Sequence, residues 1–269
     1  MIRHILTGVA ALALSLTPAP PVANADTMSE LSIETPGQHS AWSQLLGSYV
    51  EAIDGRVNCF NYAALKASTT DTEALNAYIN AIAGSDFSSL NDDEAFAAWA
   101  NLYNALTVQL IVQNYPVTSI KQIKPSLFAS GPWKQDIVTV GGRELSLDDI
   151  EHGILRSDWD EPRVHYALNC ASYGCPNLRA VAWEASTLDE DLTSAARDYI
   201  NHPRGVSIRH DGRLELSAIY KWFREDFGGN DSGVIEHLLT YASADLAADI
   251  RANPKIASHD YDWSLNSTD

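Results

Sequence analysis

RVHYALNCASYGCPNLR, residues 163–179, holds two of the chain's three cysteines, Cys170 and Cys175, with His165 ahead of them and Pro176 behind. A cysteine attacks as its thiolate, so a catalytic thiol needs a neighbour that lowers its pKa, such as an imidazolium or a helix N-terminus. Cys170 ends an apolar run where the chain turns into ASYG, and such boundaries are where rigid scaffolds present functional side chains. Other chemistries stay open on residue types alone. Cys170 and Cys175 could close a disulfide across Tyr173 and Gly174, or Cys59 could pair with Cys175 and leave Cys170 free. A zinc site from His165, Cys170, Cys175 and a fourth ligand would use four-residue gaps, looser than the two-residue gaps of common zinc knuckles. No cofactor or metal is expected.

His152, in LDDIEHGILR, is the basic partner the sequence offers Cys170. Glu151 is adjacent to it, but neighbours on a helix do not face each other. An orienting group from elsewhere is needed, and Asn104 is a candidate. No GxSxG elbow, P-loop, HExxH or dinucleotide fingerprint occurs. Asp148 with Asp149, and Asp189 to Asp191, read as charges at helix starts rather than a paired-carboxylate site.

The elements that must position these residues follow from periodicity. HSAWSQLLGSYVEAI predicts a helix through Ile53, and RVNCFNY an extended piece holding Cys59 that leads into further helices ending at Gly84. DDEAFAAWANLYNALTVQLIVQNYP is the clearest helix, with Asn91 as its cap, acids in its first turn and Pro116 at its end. Asn101 and Asn104 interrupt its apolar stripe and suggest a polar task. RVHYALNC predicts a strand in which Val164, Tyr166, Leu168 and Cys170 share one face, turning His165, Ala167 and Asn169 away from the thiol. IVTVGGRELSLDDIEHGILR and VSIRHDGRLELSAIYKWFRED each predict a hairpin running into a helix, started by Ser146 and Ser217 respectively. VIEHLLTYASADLAADIR predicts one helix, and the aromatics of YKWFREDFGG read as core. Tyr261, Trp263 and Leu265 alternate in a docking tail. The expected fold class is a single α+β domain over residues 39–269, with many helices around a small, mainly antiparallel sheet.

The 269 residues carry a formal charge of −17. Such a chain repels phosphate backbones and anionic lipid, which excludes nucleic acid as an expected partner. Residues 1–25 predict an export signal: a basic start at Arg3, a short apolar run, and Ala23 and Ala25 in a small-x-small cleavage pattern. A periplasmic or secreted protein with no membrane insertion after cleavage follows, with residues 26–38 as a flexible leader.

WANLYNALTVQLI, SLDDIEHGILR, RVHYALNCASYGCPNLR, IYKWFREDFGG and YDWSLN together resemble the blocks of the domain of unknown function 547 family. In that family the residues matching Cys170, Glu151 and His152 recur, whereas those matching Cys175 and His165 vary. The resemblance therefore implies Cys170 with His152 over a disulfide or a zinc cage. It also implies similarity to papain-like or transglutaminase-like thiol hydrolases, although His152 precedes Cys170 here. On that footing Cys170 would attack an amide or thioester of a small molecule or peptide. His152 would be the base, Glu151 or Asn104 would orient it, and Asn169 or the N–H groups after Cys170 would hold the oxyanion. The competing expectation is a non-catalytic envelope-binding module with a buried Cys170.

Overall fold

The molecule was described from a computed structural model covering residues 39–53, 57–126, 129 and 131–268. The expected signal and leader, residues 1–38, lie outside the described residues. The spine is α4 (Asp92–Asn114). Its N-terminus is closed by a capping box in which Asn91 accepts from the Glu94 N–H while Glu94 accepts from the Asn91 N–H. Beyond that turn, Phe96 through Val108 are buried on every side, so α4 runs through the core rather than along it. It is long and apolar enough to cross a membrane by length and composition, and its apolar surface is spent on the core.

Around α4 pack α1 (Ser40–Tyr49), α2 (Tyr62–Ala67) and α3 (Thr69–Ala83). The first predicted helix stops short. At Val50 the chain turns extended, and β1 (Val50–Ile53) pairs antiparallel with β2 (Val57–Phe60), where cross-strand bonding and β-branched residues outweigh helical spacing. The two predicted hairpins form as β3 (Val138–Val140) with β4 (Arg143–Leu145), and β5 (Val206–Ile208) with β6 (Leu214–Ser217). Gly141 and Gly142 both take positive φ, as the two-residue turn of the first requires. Its exit is held by Asp149, whose carboxylate accepts from the Ser146 N–H and hydroxyl. A wide π turn over Asp149–Leu155 follows and tightens into α5 (Arg156–Asp158).

One predicted strand is helical instead. Val164–Ala167 form the single turn α6, after which Leu168 is extended. Its first residues are locked by the Arg163 fork on Glu161. A helical turn sends successive side chains in different directions, so all four residues are buried. Val164 and Ala167 enter the core around α4, whereas Tyr166 enters a second core with α7 (Leu188–Ile200) and the β5–β6 hairpin.

After β6 come α8 (Ile219–Trp222) and a tight turn, Arg224–Phe227. The single predicted C-terminal helix is two, α9 (Asp231–Tyr241) and α10 (Ala244–Ala252), because Ser243 leaves the helix and caps the second. β7 (Ile256–Asp260) then pairs parallel with β6, so the three-stranded sheet is mixed. The tail docks as predicted, with Trp263 and Leu265 packed on the first core. The class is α+β, with the described residues inside one compact unit.

Candidate active site

Cys170 sits in a tight loop held from three sides. Asn104 on α4 donates to the Ala167 carbonyl at 2.9 Å and accepts from the Asn169 N–H at 2.8 Å. The Asn169 amide turns inward, donating to Pro176 O and accepting from the Ala171 N–H at 2.9 Å. From the other side the tail takes the Tyr173 N–H on Ser264 O and the Gly174 N–H on Asp262 O. Between these clamps Ala171 adopts φ of +57°, a left-handed conformation that costs an L-residue roughly 1–2 kcal/mol. The turn after the thiol is thus strained and over-determined, a combination found where a side chain must be presented in one orientation.

The Cys170 thiol is partly exposed, while Cys175 is buried behind it, and all three described cysteines are free. The Cys175 sulfur accepts from the Cys170 N–H at 3.0 Å. The Tyr261 hydroxyl lies 3.1 Å from both sulfurs, and the Ser172 hydroxyl lies 3.4 Å from that of Cys170. Hydrogen bonding from Cys175, opposed by burial and assisted by the two hydroxyls, pulls the Cys170 thiol down to about 7. Burial and the neighbouring Cys170 push the Cys175 thiol well up. One sulfur of the pair is prepared as a thiolate and the other holds its proton.

The wall facing Cys170 is acidic and deep. Glu151 projects from the π turn, accepts from the Tyr103 hydroxyl at 3.2 Å, and is only 13% exposed. Burial first, then the Cys170 charge, raise its carboxyl to about 7. His165 Nδ1 lies 3.9 Å from that carboxylate, and Nε2 lies 2.7 Å from Asp226 Oδ2. Asp226 also receives the Arg156 fork at 2.5 and 2.8 Å. Burial works against the Asp226 charge, but His165 and Arg156 hold its carboxyl far below the usual range. The His165 ring stacks on Phe223, and burial lowers its pKa.

Cys170, Cys175, Glu151, His152 and His165 all border one open cavity of about 510 Å³, with Trp133, Trp222, Tyr261 and Trp263 among its other walls. The predicted residues are therefore brought together in part. The Cys170 sulfur bonds to Cys175, Ser172 and Tyr261, and His152 is not among its partners. Arginine only donates, so the Arg156 guanidinium 2.9 Å from His152 Nδ1 occupies that ring's lone pair. Nε2 then carries the hydrogen and faces Asp148 at 3.5 Å. Neither Glu151 nor Asn104 orients His152, and Asn104 instead holds the Cys170 segment. The Asn169 amide donates to Pro176 O and accepts from Ala171 and Asn266, and the N–H groups of Cys170, Ala171, Tyr173, Gly174 and Cys175 are bonded within the fold, whereas the Ser172 N–H is directed at the Cys170 sulfur. His165, expected to point away on a strand, lines the cavity because its segment is helical. Among the described residues no three His, Cys, Asp or Glu side chains gather as a metal cage would need.

Sequence reasoning missed Tyr261, Asp226 and Tyr103. Tyr261 was legible as part of the docking tail, and Asp226 lay in a segment read as structural. Neither carries a local mark of its role.

Residues 87–200 match the family described as "Protein of unknown function, DUF547". The matched stretch contains α4, the Glu151–His152 turn and the Cys170 loop, and ends before α8 and the tail. No curated protein and no solved structure matches the chain. Residues 87–200, which carry Cys170 and its acidic wall, are thus similar to that family.

Proposed function

We propose that the protein is an exported cysteine-dependent hydrolase or acyl-transfer enzyme acting on an amide or thioester, with Cys170 as nucleophile. The observation that carries the reading is a thiol drawn down to about 7 on an open cavity, opposite an enclosed carboxyl raised to about 7. Near neutral pH a Cys170 thiolate and a protonated Glu151 can coexist on the cavity, which is the state acyl transfer requires. The Cys170 thiolate adds to the carbonyl carbon. As the C–N or C–S bond breaks, Glu151 gives its proton to the leaving group. Water then attacks the thioester, Glu151 takes the proton from it, and Cys170 departs as thiolate. The Asp226–His165 pair, with a fixed tautomer and its Nδ1 toward Glu151, is the group that steadies this carboxyl. His152 serves as a polar wall rather than the base. The aromatic walls favour a substrate with an apolar or planar group beside the scissile carbonyl.

The test is the rate of Cys170 alkylation by iodoacetamide across pH, followed by peptide mapping. A midpoint near 7 that is lost in C170S supports the proposal. Titration like an ordinary thiol, about 8.5, or no reaction at all, sinks it. The second reading is a non-catalytic envelope-binding module, and the opening of Cys170 onto the cavity favours catalysis over it.

A further inference from the structure

We infer that Cys175 is a resolving thiol for Cys170, so that an oxidised Cys170 is captured as a reversible Cys170–Cys175 disulfide. This rests on the reading of Cys170 as a reactive thiolate and goes beyond it.

The two sulfurs differ in access and not in neighbourhood. Both border the cavity, but the Cys170 thiol is partly exposed and Cys175 only 4%, so an oxidant arriving from solvent meets Cys170 first. The Cys175 sulfur is 3.0 Å from the Cys170 amide nitrogen, and one hydroxyl, that of Tyr261, touches both sulfurs. The backbone between them is pinned at residues 173 and 174 by the tail, and the Tyr199 hydroxyl donates to Gly174 O at 2.6 Å. Disulfide closure must therefore come from side-chain rotation, which neighbouring sulfurs allow.

The chemistry balances with a peroxide as oxidant. The Cys170 thiolate attacks one peroxide oxygen, the O–O bond breaks, and the other oxygen leaves with a proton as water or alcohol. Cys170 is then a sulfenic acid, S–OH. Its negative charge, one of the groups that kept Cys175 protonated, is gone. Cys175 loses its proton and attacks the Cys170 sulfur. The S–O bond breaks, hydroxide leaves and takes up a proton as water, and the disulfide forms. A dithiol reductant reverses it by exchange. Without the second sulfur the sulfenic acid meets further peroxide and passes to sulfinic acid, which simple thiols do not reverse.

The experiment treats the purified, reduced protein with hydrogen peroxide in small molar excess, then maps Cys170, Cys175 and Cys59 by mass spectrometry. The expected result is a loss of about 2 Da in the peptide pair 170/175 and return of both thiols with dithiothreitol. Under the same dose C175S should accumulate at least about tenfold more sulfinic Cys170, a gain of about 32 Da. Sulfinic Cys170 beside a free Cys175 in the wild type would overturn the inference, as would a disulfide made to Cys59. Both outcomes leave the nucleophile reading standing if iodoacetamide still labels Cys170 near neutral pH. A Cys170 inert to peroxide and iodoacetamide alike overturns both. The wild-type arm decides the matter even if C175S fails to fold.

Discussion

At the scale of the residue, the site turns on how one sulfur is made more acidic than its neighbour. Tyr261 carries one O–H proton and sits 3.1 Å from each sulfur, so it can stabilise only one thiolate at a time. Tyr261→Phe should raise the midpoint of Cys170 alkylation by roughly half a unit to one unit, since one charge-assisted hydrogen bond is lost. A pH–rate profile unchanged from wild type would remove Tyr261 from the site. Ala171 supplies a second residue-scale test. Ala171 and Ala105 are both fully buried, so replacing either by glycine loses a methyl group. Only at position 171 does glycine also relieve a left-handed backbone, worth roughly 1–2 kcal/mol. Urea unfolding should therefore find Ala171→Gly more stable than Ala105→Gly by at least about 1 kcal/mol. Equal losses would mean the loop is not strained.

At the scale of the element, α4 positions the site through two asparagines three residues apart. Asn101 grips Trp183, donating to its carbonyl at 2.8 Å and accepting from its N–H at 3.0 Å. Asn104 grips Ala167 O and Asn169 N–H in the same manner. Each amide supplies the donor and acceptor that a neighbouring strand would have supplied, to segments without one. Asn101→Ala should cost roughly 2–4 kcal/mol, because two buried backbone groups lose their partners, and Asn104→Ala less, because the Ala167 carbonyl keeps the Trp183 indole N–H at 3.2 Å. The two substitutions should differ in chemistry. Asn104→Ala should slow Cys170 alkylation near pH 7, whereas Asn101→Ala should leave the rate of the remaining folded protein unchanged. Equal rates in the two would show that α4 does not position the thiol. That α4 is a buried helix follows from its sequence. What its asparagines hold does not, because their partners lie more than sixty residues away.

At the scale of the whole molecule, burial of titratable groups couples stability to pH. Burial raises the Glu151 carboxyl to about 7, so the folded chain holds an extra proton between about pH 4.3 and that value. Stability from this group falls as pH rises through that window, by up to about 3 kcal/mol. Glu151→Gln should therefore be more stable than wild type at pH 8 and gain nothing at pH 4.5. Thermal unfolding at the two pH values checks this, and an equal change at both would show that Glu151 is not buried as a carboxylate. His39 and His237 act the other way. Burial holds both down to about 4, against about 6.5 unfolded, so the stability of their neutral forms is complete above about 6.5 and lost as pH drops toward 4.

The sequence by itself determined the α+β class, the hairpins, the buried α4 and the thiol to watch, because periodicity, caps and turn residues act within a few positions of the chain. It paired that thiol with His152, which is not among the hydrogen-bond partners of the Cys170 sulfur. Strand-like alternation over residues 164–170 turned His165 away, and Glu151 was read as an accessory to His152. Only the tertiary structure decided that Val164–Ala167 is a helical turn wedged between two cores. Only it decided that Arg156 occupies the His152 ring, and that Glu151, His165 and Asp226 align instead. Hydrogen bonds and ion pairs between residues distant in sequence select among the partners that spacing allows, and burial then sets which of them holds a proton near neutral pH.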